Sequence, residues 1–456
     1  MTTTFDVRAH GAVGDGVTKD TAAIQAAIDA CGAAGGGRVL LPAGHRFLSG
    51  SLRLRSFVDL HVERGARLLC SGDLEDLTEH VDITAVNNGA MTPWNAFLVA
   101  RDETDVAITG GGTIDGVCAN WIDEDRGAIY WMKTGRPFLV YFIACTRVQV
   151  SDVHLHDAAL WALRVSGCDD VLFHGLSITC DMKVPNADGI DIDHSRSVRV
   201  SDCNVQVPDD AISIKACEES SALSGGVAQD IVVTNCVLES RSSALVVGVD
   251  AGPGDVIRNV VFNNCVIRNS HRGLSVNCGS GALYENILFA NIVIETRIFD
   301  DRWWGRGEPI YVSSYPWHDA KGRIRNVRFS NILARSESGV VVSAQEPGDI
   351  EGLVFDNVAI RLGKWSEYEG GQIDHRPFND ENPIISAETA GFHLHNATNV
   401  RLTDCSVDWE DGLPDYYGPA LRAQSVEGLV VRDFVGHDRP GWMSPILAAP
   451  PSPTDN

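Results

Sequence analysis

The chain lacks several features that would have placed it elsewhere. None of its 456 residues falls in an apolar run of about 18, so no membrane-spanning helix is expected. There is no CxxC pair and no HExxH, and the 14 histidines show no ligand spacing, so neither a metal nor any other cofactor is expected. His154 and His156 read as strand-face residues. The GAVGDG segment near the N-terminus has no GK[ST] after it and reads as a turn rather than a phosphate loop. Basic residues are scarce: 37 Lys and Arg against 61 Asp and Glu give a net charge of −24. That balance argues against a nucleic-acid partner and against an anionic membrane. It also makes a highly anionic polymer an awkward substrate without a local basic patch. The opening MTTTFDVRAHGAVGDG has no charged segment followed by an apolar one, so a cytoplasmic protein is expected, or a secreted one if a leader has been removed. The 12 cysteines are scattered and are expected to be reduced, buried thiols. What remains is ordinary globular material, 44% hydrophobic and 21% charged, with 44 glycines that imply many turns.

An internal repeat decides the fold. A ten-residue phrase, two β-rich runs joined by a short polar pair, recurs as VQVSDVHLHD from Val148, VRVSDCNVQV from Val198, IVVTNCVLES from Ile231 and VVFNNCVIRN from Val260. Further copies begin at Val171, Ile287, Val327, Leu353, Val400 and Leu429. Branched residues alternate as in half-buried strands, and the central Asn or Asp suits a turn in the left-handed region. The closest copies lie 23 to 29 residues apart, too short for a propeller blade of about 40. Three strands and three turns per coil give an all-β, single-domain right-handed parallel β-helix over 1–449. Residues 18–35, TKDTAAIQAAIDACGAAG, read as an N-terminal capping helix starting at Asp20-Thr21 and ending at the glycines. Wide gaps place loop insertions at 297–326 and 363–399, and 450–456 reads as a flexible tail.

The chemistry concentrates in residues 184–216, VPNADGIDIDHSRSVRVSDCNVQVPDDAISIKA. Asp188 and Asp209 are 21 residues apart, nearly one coil, and coils stack at about 4.8 Å. Asp188 and the Asp209-Asp210 pair are therefore expected on neighbouring rungs of one face, provided the backbone bends near Pro208. Two carboxylates about 5 Å apart repel by roughly 3 kcal/mol at an effective dielectric of about 20, or about two pKa units. One carboxyl then keeps a proton while another stays a base, which is what glycosidic hydrolysis requires.

These blocks resemble glycoside hydrolase family 28, the polygalacturonase family, in the manner of a divergent bacterial subgroup. NADGIDID is similar to the family's Asn-Thr-Asp block with Ala187 for Thr, and PDDAISIK to its Gly-Asp-Asp block. The N-terminal FDVRAHGAVGDG stretch and the later WWGRGEPIYVSS and KWSEYEGG segments add to the likeness, which spans almost the whole chain. The resemblance implies a metal-free, inverting hydrolase with Asp209 as general acid and Asp188 and Asp210 activating water. It further implies that Asn186 orients the first carboxylate or the sugar and that Lys215 contacts the site; the alternative for Lys215 is a solvated strand-end lysine. Two blocks depart from the family. Ser242 or Ser243 stands where its Gly-His-Gly histidine belongs, and Ser275-Val276-Asn277 replaces its Arg-Ile-Lys. Those family cations pair with a uronate carboxylate, whereas Ser and Asn277 suit neutral hydroxyls. A substrate lacking the uronate carboxylate is therefore expected. The alternative is a polygalacturonase-type uronide hydrolase in which His271 and Arg272 replace the lost cations.

Sugar faces stack on aromatic rings, so Trp161, Trp303 and Trp304 are candidates for the groove wall. Glu308 is a spare carboxylate, and Tyr368, Asp374, His375 and Arg376 lie in the second insertion. Two long loops that wall off one end of a groove favour exo action. A calcium-dependent lyase on the same fold would need uronate-binding cations. A non-catalytic carbohydrate-binding β-helix would keep the aromatics without needing three carboxylates at matched spacing. A carbohydrate is the expected partner; oligomeric state is not legible.

Overall fold

The computed structural model describes residues 3–81, 94–217, 223, 225–317, 320–378 and 383–439. The tail expected at 450–456 lies outside these residues. The chain winds as a right-handed parallel β-helix whose strands join into one 38-stranded sheet system. Each coil supplies one strand to each of three stacks, as Leu163–Ser166, Asp169–His174 and Ser177–Thr179 do, before the next coil repeats the pattern with Ile190–Asp193, Arg196–Ser201 and Asn204–Val207. Successive coils pair in parallel and in register, for example Val171 with Val198 and Val198 with Ile231.

Alternation puts one side chain of every pair inward, so identical positions stack on themselves. Phe262, Phe289, Phe329 and Phe355 form a column with centroids 4.8 to 5.1 Å apart and nearly parallel rings. The cysteines follow the same logic: all 12 are buried. At the corners, the central Asn of the repeat phrase takes a positive φ, as Asn264, Asn291, Asn331 and Asn357 all do at 54–57°. Their amides then link coil to coil, with Asn291 donating to Asn264 (3.2 Å), Asn331 to Asn291 (3.0 Å) and Asn357 to Asn331 (2.9 Å). Asparagine is favoured there because it tolerates the left-handed region and carries both a donor and an acceptor.

The α-helix Thr21–Ala33 buries Ile24, Ala27, Ile28 and Cys31 over the open end of the first coil. Asp20 ties its start to the preceding turn by accepting from the amides of Val13 and Gly14. The insertion boundaries need correction. Span 297–326 is interrupted by the rung strand Ile310–Ser314, and span 363–399 contains a hairpin, Gln372–Asp374 with Ile384–Ser386, and then the rung strand Phe392–Thr398. The repeat phrase covers only the second and third strands of a coil, so the first strand of these coils was absorbed into the apparent loop.

Replacing Asn331 by Val removes two rungs of the amide ladder and forces a branched residue to positive φ. The expected loss is roughly 2 kcal/mol in denaturant unfolding, with Asn331→Gly losing less because glycine keeps the backbone free.

Candidate active site

Register builds the site. Leu163, Ile190, Ile212, Leu245, Leu274 and Ile310 are partners in one ladder of the first stack. The residues two places earlier therefore form a row: Trp161, Asp188, Asp210, Ser243, Arg272, Glu308. A second outward row, one residue after the ladder, runs Arg164, Asp191, Ser213, Val246, Ser275, Tyr311. Lys215 and Asp193 belong to a third, two residues further on.

Asp209 joins the first row from the side. The strand Asn204–Val207 stops at Pro208, and the turn that follows carries Asp209 and Asp210 into the same cleft. Asp209 is held there by two amides, accepting from Asn186 N (3.0 Å) and Asp210 N (3.1 Å). One oxygen from each of Asp188, Asp209 and Asp210 lies within 4.8 Å of the others. Asn186, at φ 56°, thus orients Asp209 rather than Asp188, and does so through its backbone; its side-chain oxygen accepts from Arg136 (2.9 Å).

Lys215 is buried and not a solvated strand-end residue. Its ammonium lies 3.8 Å from Asp188, 3.7 Å from Asp191, 3.8 Å from Asp210 and 3.3 Å from Asp250. Burial opposes its charge, but the carboxylates, Asp250 foremost, outweigh that and hold the lysine charged well beyond its usual range. The carboxyls move up as well. Burial, then the charges of Asp191 and Asp209, raises Asp188 far above an ordinary carboxyl. Burial raises Asp209 against the opposing charge of Lys215, and lifts Asp210 to about 6 and Asp191 to about 8. The cluster therefore retains protons near neutral pH, as an acid–base site requires. Ser242 donates to Asp210 (2.9 Å), so a hydroxyl supports the carboxylate at the position where the family histidine was sought. Trp161 flanks the row, with the Lys215 ammonium 4.9 Å and the Arg164 guanidinium 4.5 Å from its ring centre. The carboxylate spacing alone would suit a metal ion, but the Lys215 ammonium already supplies positive charge there.

Several expected site residues do other work. His271 is no replacement cation: burial and the adjacent Arg272 lower it to about 3, so it is neutral, and it sits between Arg241 O and Phe299 N. Arg272 is buried against Glu308 (3.4 Å), over the ring of Tyr311 (4.0 Å), and donates to Asp374 O. Glu308 is consequently its partner rather than a spare acid, and lies three rungs, about 14 Å, from Asp210 along the row. Trp303 is buried and donates to Ala128 O (3.2 Å), fastening its loop to the hairpin Ile122–Asp125/Tyr130–Met132; Trp304 is exposed. Arg376 grips Asp374 and the carbonyls of Asp301 (2.8 Å) and Trp303 (3.0 Å), joining the two insertions instead of facing a sugar. Asn277 is buried and accepts from Ser313 (3.3 Å). Tyr368 is half-buried and within electrostatic reach of Arg241.

Asp191, Asp250, Arg136, Arg241 and Arg297 were missed. The alternation Ile190-Asp191-Ile192-Asp193 set against Ile212-Ser213-Ile214-Lys215 carried the signal for Asp191, since both acids must face out beside Ser213 and Lys215. Arg241 sits inside the SRSSALVVG block, which was inspected only for a histidine.

A parallel β-helix with carboxylates and a lysine gathered on an outer sheet face defines a glycosidase-type site. Comparison with known proteins fixes the class. The profile of Glycosyl hydrolases family 28 matches residues 73–374, and one described as Rhamnogalacturonase A/epimerase, pectate lyase-like, matches residues 4–62. A probable polygalacturonase of Vitis vinifera is 27% identical over 369 residues, spanning 77% of this chain and 73% of the relative. The exopolygalacturonase of Thermotoga maritima superposes with a TM-score of 0.64 at 21% identity, covering 88% of this chain and 91% of the other. The family 28 exopolygalacturonase of Yersinia enterocolitica gives 0.65 at 18% identity, covering 96% and 78%. The chain belongs to glycosyl hydrolase family 28 and is a glycosidase.

The raised carboxyls have a cost in stability. The Asp210 carboxyl is lifted from 3.8 to about 6, so the folded state binds more protons than the unfolded chain between those values. Stability therefore falls as pH rises through that window. Asp210→Asn is expected to flatten the fall and to be more stable at pH 7, by up to about 3 kcal/mol. Denaturant midpoints from pH 4 to pH 8 check this.

Proposed function

We propose that the protein hydrolyses galacturonide bonds with inversion and releases units from a chain end. The observation that carries the reaction is the Asp188–Asp209–Asp210 cluster around buried Lys215. Asp209 is the most accessible of the three and is steered by two amides, which suits a general acid protonating the leaving oxygen. Asp188 and Asp210 occupy adjacent rungs of one row, where a water bridging them loses its proton to the pair as it attacks. The proton given by Asp209 and the proton taken from water balance over one turnover. Their separations are shorter than the roughly 6.5–9.5 Å usual for an inverting pair. With three carboxylates, however, the water is held by two on one side while the third serves the leaving group.

The sequence suggested a sugar without a carboxylate, because Ser275 and Asn277 replace family cations. The relatives favour a uronide instead, being polygalacturonases by name, and the site is less poor in cations than its motifs suggested, since Arg136 and Arg241 flank it. Exo action is supported by the cover on the sheet face. Ile373, Ile385 and Ala387 pack over Tyr311 and Val341 on one side. Val81 and Trp94 pack with Phe138 and Tyr141 on the other. The coils left between, from Leu163 to Leu245, span about 14 Å.

Purified protein assayed on polygalacturonate and on neutral oligosaccharides tests each part. Monomer release from polygalacturonate, with the anomeric configuration inverted by proton NMR, is expected. Asp209→Asn is expected to lower kcat by about 10²–10⁴-fold. Turnover of neutral sugars alone would overturn the uronide assignment, and a retained anomer would overturn inversion.

A further inference from the structure

Two arginines without an anion partner among the described residues stand on the turn wall, Arg241 one rung and Arg297 three rungs from the coil of Asp209. Arg241 lies between Ser240, whose hydroxyl donates to the Asp209 carbonyl (2.7 Å), and Ser242, whose hydroxyl donates to the Asp210 carboxylate (2.9 Å). Its coil is one rung, about 4.8 Å, beyond that of Asp209. Arg297 follows one coil after His271, its amide bonded to Ser270 O (2.9 Å). Both guanidiniums approach the ring of Phe299, at 5.3 Å and 4.3 Å from its centre. Among the described residues neither guanidinium makes a hydrogen bond or an ion pair, and the Nε of each is shielded from solvent without a partner. Elsewhere near the site Arg164 pairs with Asp193, Arg272 with Glu308 and Arg376 with Asp374, while Arg136 is satisfied by the carbonyls of Ala159 and Pro185 and the Asn186 amide. Asp181 and Glu239 act on Arg241 only at longer range, and burial with the like charge of Arg297 lowers its pKa.

Two half-buried cations that share one ring and, among the described residues, no paired anion form an unfavourable arrangement that a bound carboxylate would relieve. Guanidinium forks match carboxylate geometry. The net charge of −24 makes such a local exception to the prevailing sign informative. We infer that Arg241 and Arg297, whose guanidiniums meet at the ring of Phe299, form a carboxylate receptor on the turn wall of the groove, taking the carboxylate of a hexuronate unit bound along that wall from the acid cluster, with Tyr368 at its rim. Recognition of the acid group then lies on the turn wall and not at Ser275 and Asn277 on the sheet face. This inference rests on the uronide reading given above.

The test compares an oligogalacturonate with its methyl ester, which keeps the sugar and loses the charge. Wild type is expected to prefer the free acid. Arg241→Gln and Arg297→Gln are each expected to lose roughly 10–100-fold in kcat/KM on the free acid, mainly through KM. They should lose little on the ester, and Arg241→Lys should recover part of the loss. Equal losses on both substrates would mark a structural role and overturn the receptor, as would an unchanged preference in both glutamine variants; either result leaves the uronide reading standing. Wild type that cleaves only neutral glycosides overturns that reading and the receptor with it. Thermal unfolding confirms that each variant is folded, and if Arg241→Gln is not, Arg297→Gln and Arg241→Lys decide the matter.

Discussion

In-register parallel pairing is the constraint on which the rest of the molecule depends. Once Leu163, Ile190, Ile212 and Leu245 are locked as partners, every neighbouring position is repeated at the strand spacing of about 4.8 Å. Inside, the repetition is favourable, because like apolar groups stack as the four phenylalanines do. Outside, it is a hazard for charge, because like charges in one row stand at a fixed short distance. Asp188 and Asp210 occupy such a row, and Asp191 lies close by in the next one. The site is the place where the fold accepts that hazard.

Lys215 is what makes the hazard bearable. Its ammonium lies among four carboxylates at 3.3 to 3.8 Å and makes one hydrogen bond, to Asp250. One charge cannot neutralise four, so the remainder is met by protonation, and the carboxyls rise accordingly. Deeper in the same face the opposite solution appears. Arg164 and His194 both bind Asp193. Asp193 consequently stays far below the usual carboxylate range, its burial outweighed by Arg164 and His194. Two aspartates two residues apart on one strand thus differ in protonation because one faces a shared lysine and the other a dedicated arginine.

The sequence carried the fold almost completely, and for a physical reason. A coil of about 25 residues writes its turns and inward positions into every repeat, so the Asn corners and alternating runs were readable without a structure. The three carboxylates were readable too, since a 21-residue spacing on a solenoid is a distance. Roles set by tertiary cover were not. His271 beside Arg272 looks like a pair of cations in sequence, yet burial neutralises the first and Glu308 engages the second. Trp303 and Arg376 look like groove residues because they are aromatic and basic in long loops; they fasten those loops to Ala128, Asp301 and each other. No local pattern distinguishes a side chain that faces a ligand from one that faces another loop.

The same cover explains why an anion-binding role would leave the sheet face. Tyr311 and Val341 lie under Ile373, and the Tyr311 hydroxyl shares a hydrogen bond with His375 Nδ1 (2.9 Å) beneath the same cover. Ser275 and Asn277 sit just before these coils and are themselves buried. A lysine or arginine at Ser275, the ladder partner of the Tyr311 over which Arg272 lies, would add a second cation to a space already balanced by Glu308. Serine and asparagine carry no such charge and pair locally, Ser275 with Ser243 and Asn277 with Ser313. On the turn wall Arg241 has the Phe299 ring against it and remains half-buried, one rung from the coil of Asp209. In the proposed reading, closing one end of the groove and binding the carboxylate at its side wall go together, because the first removes the room that the second restores.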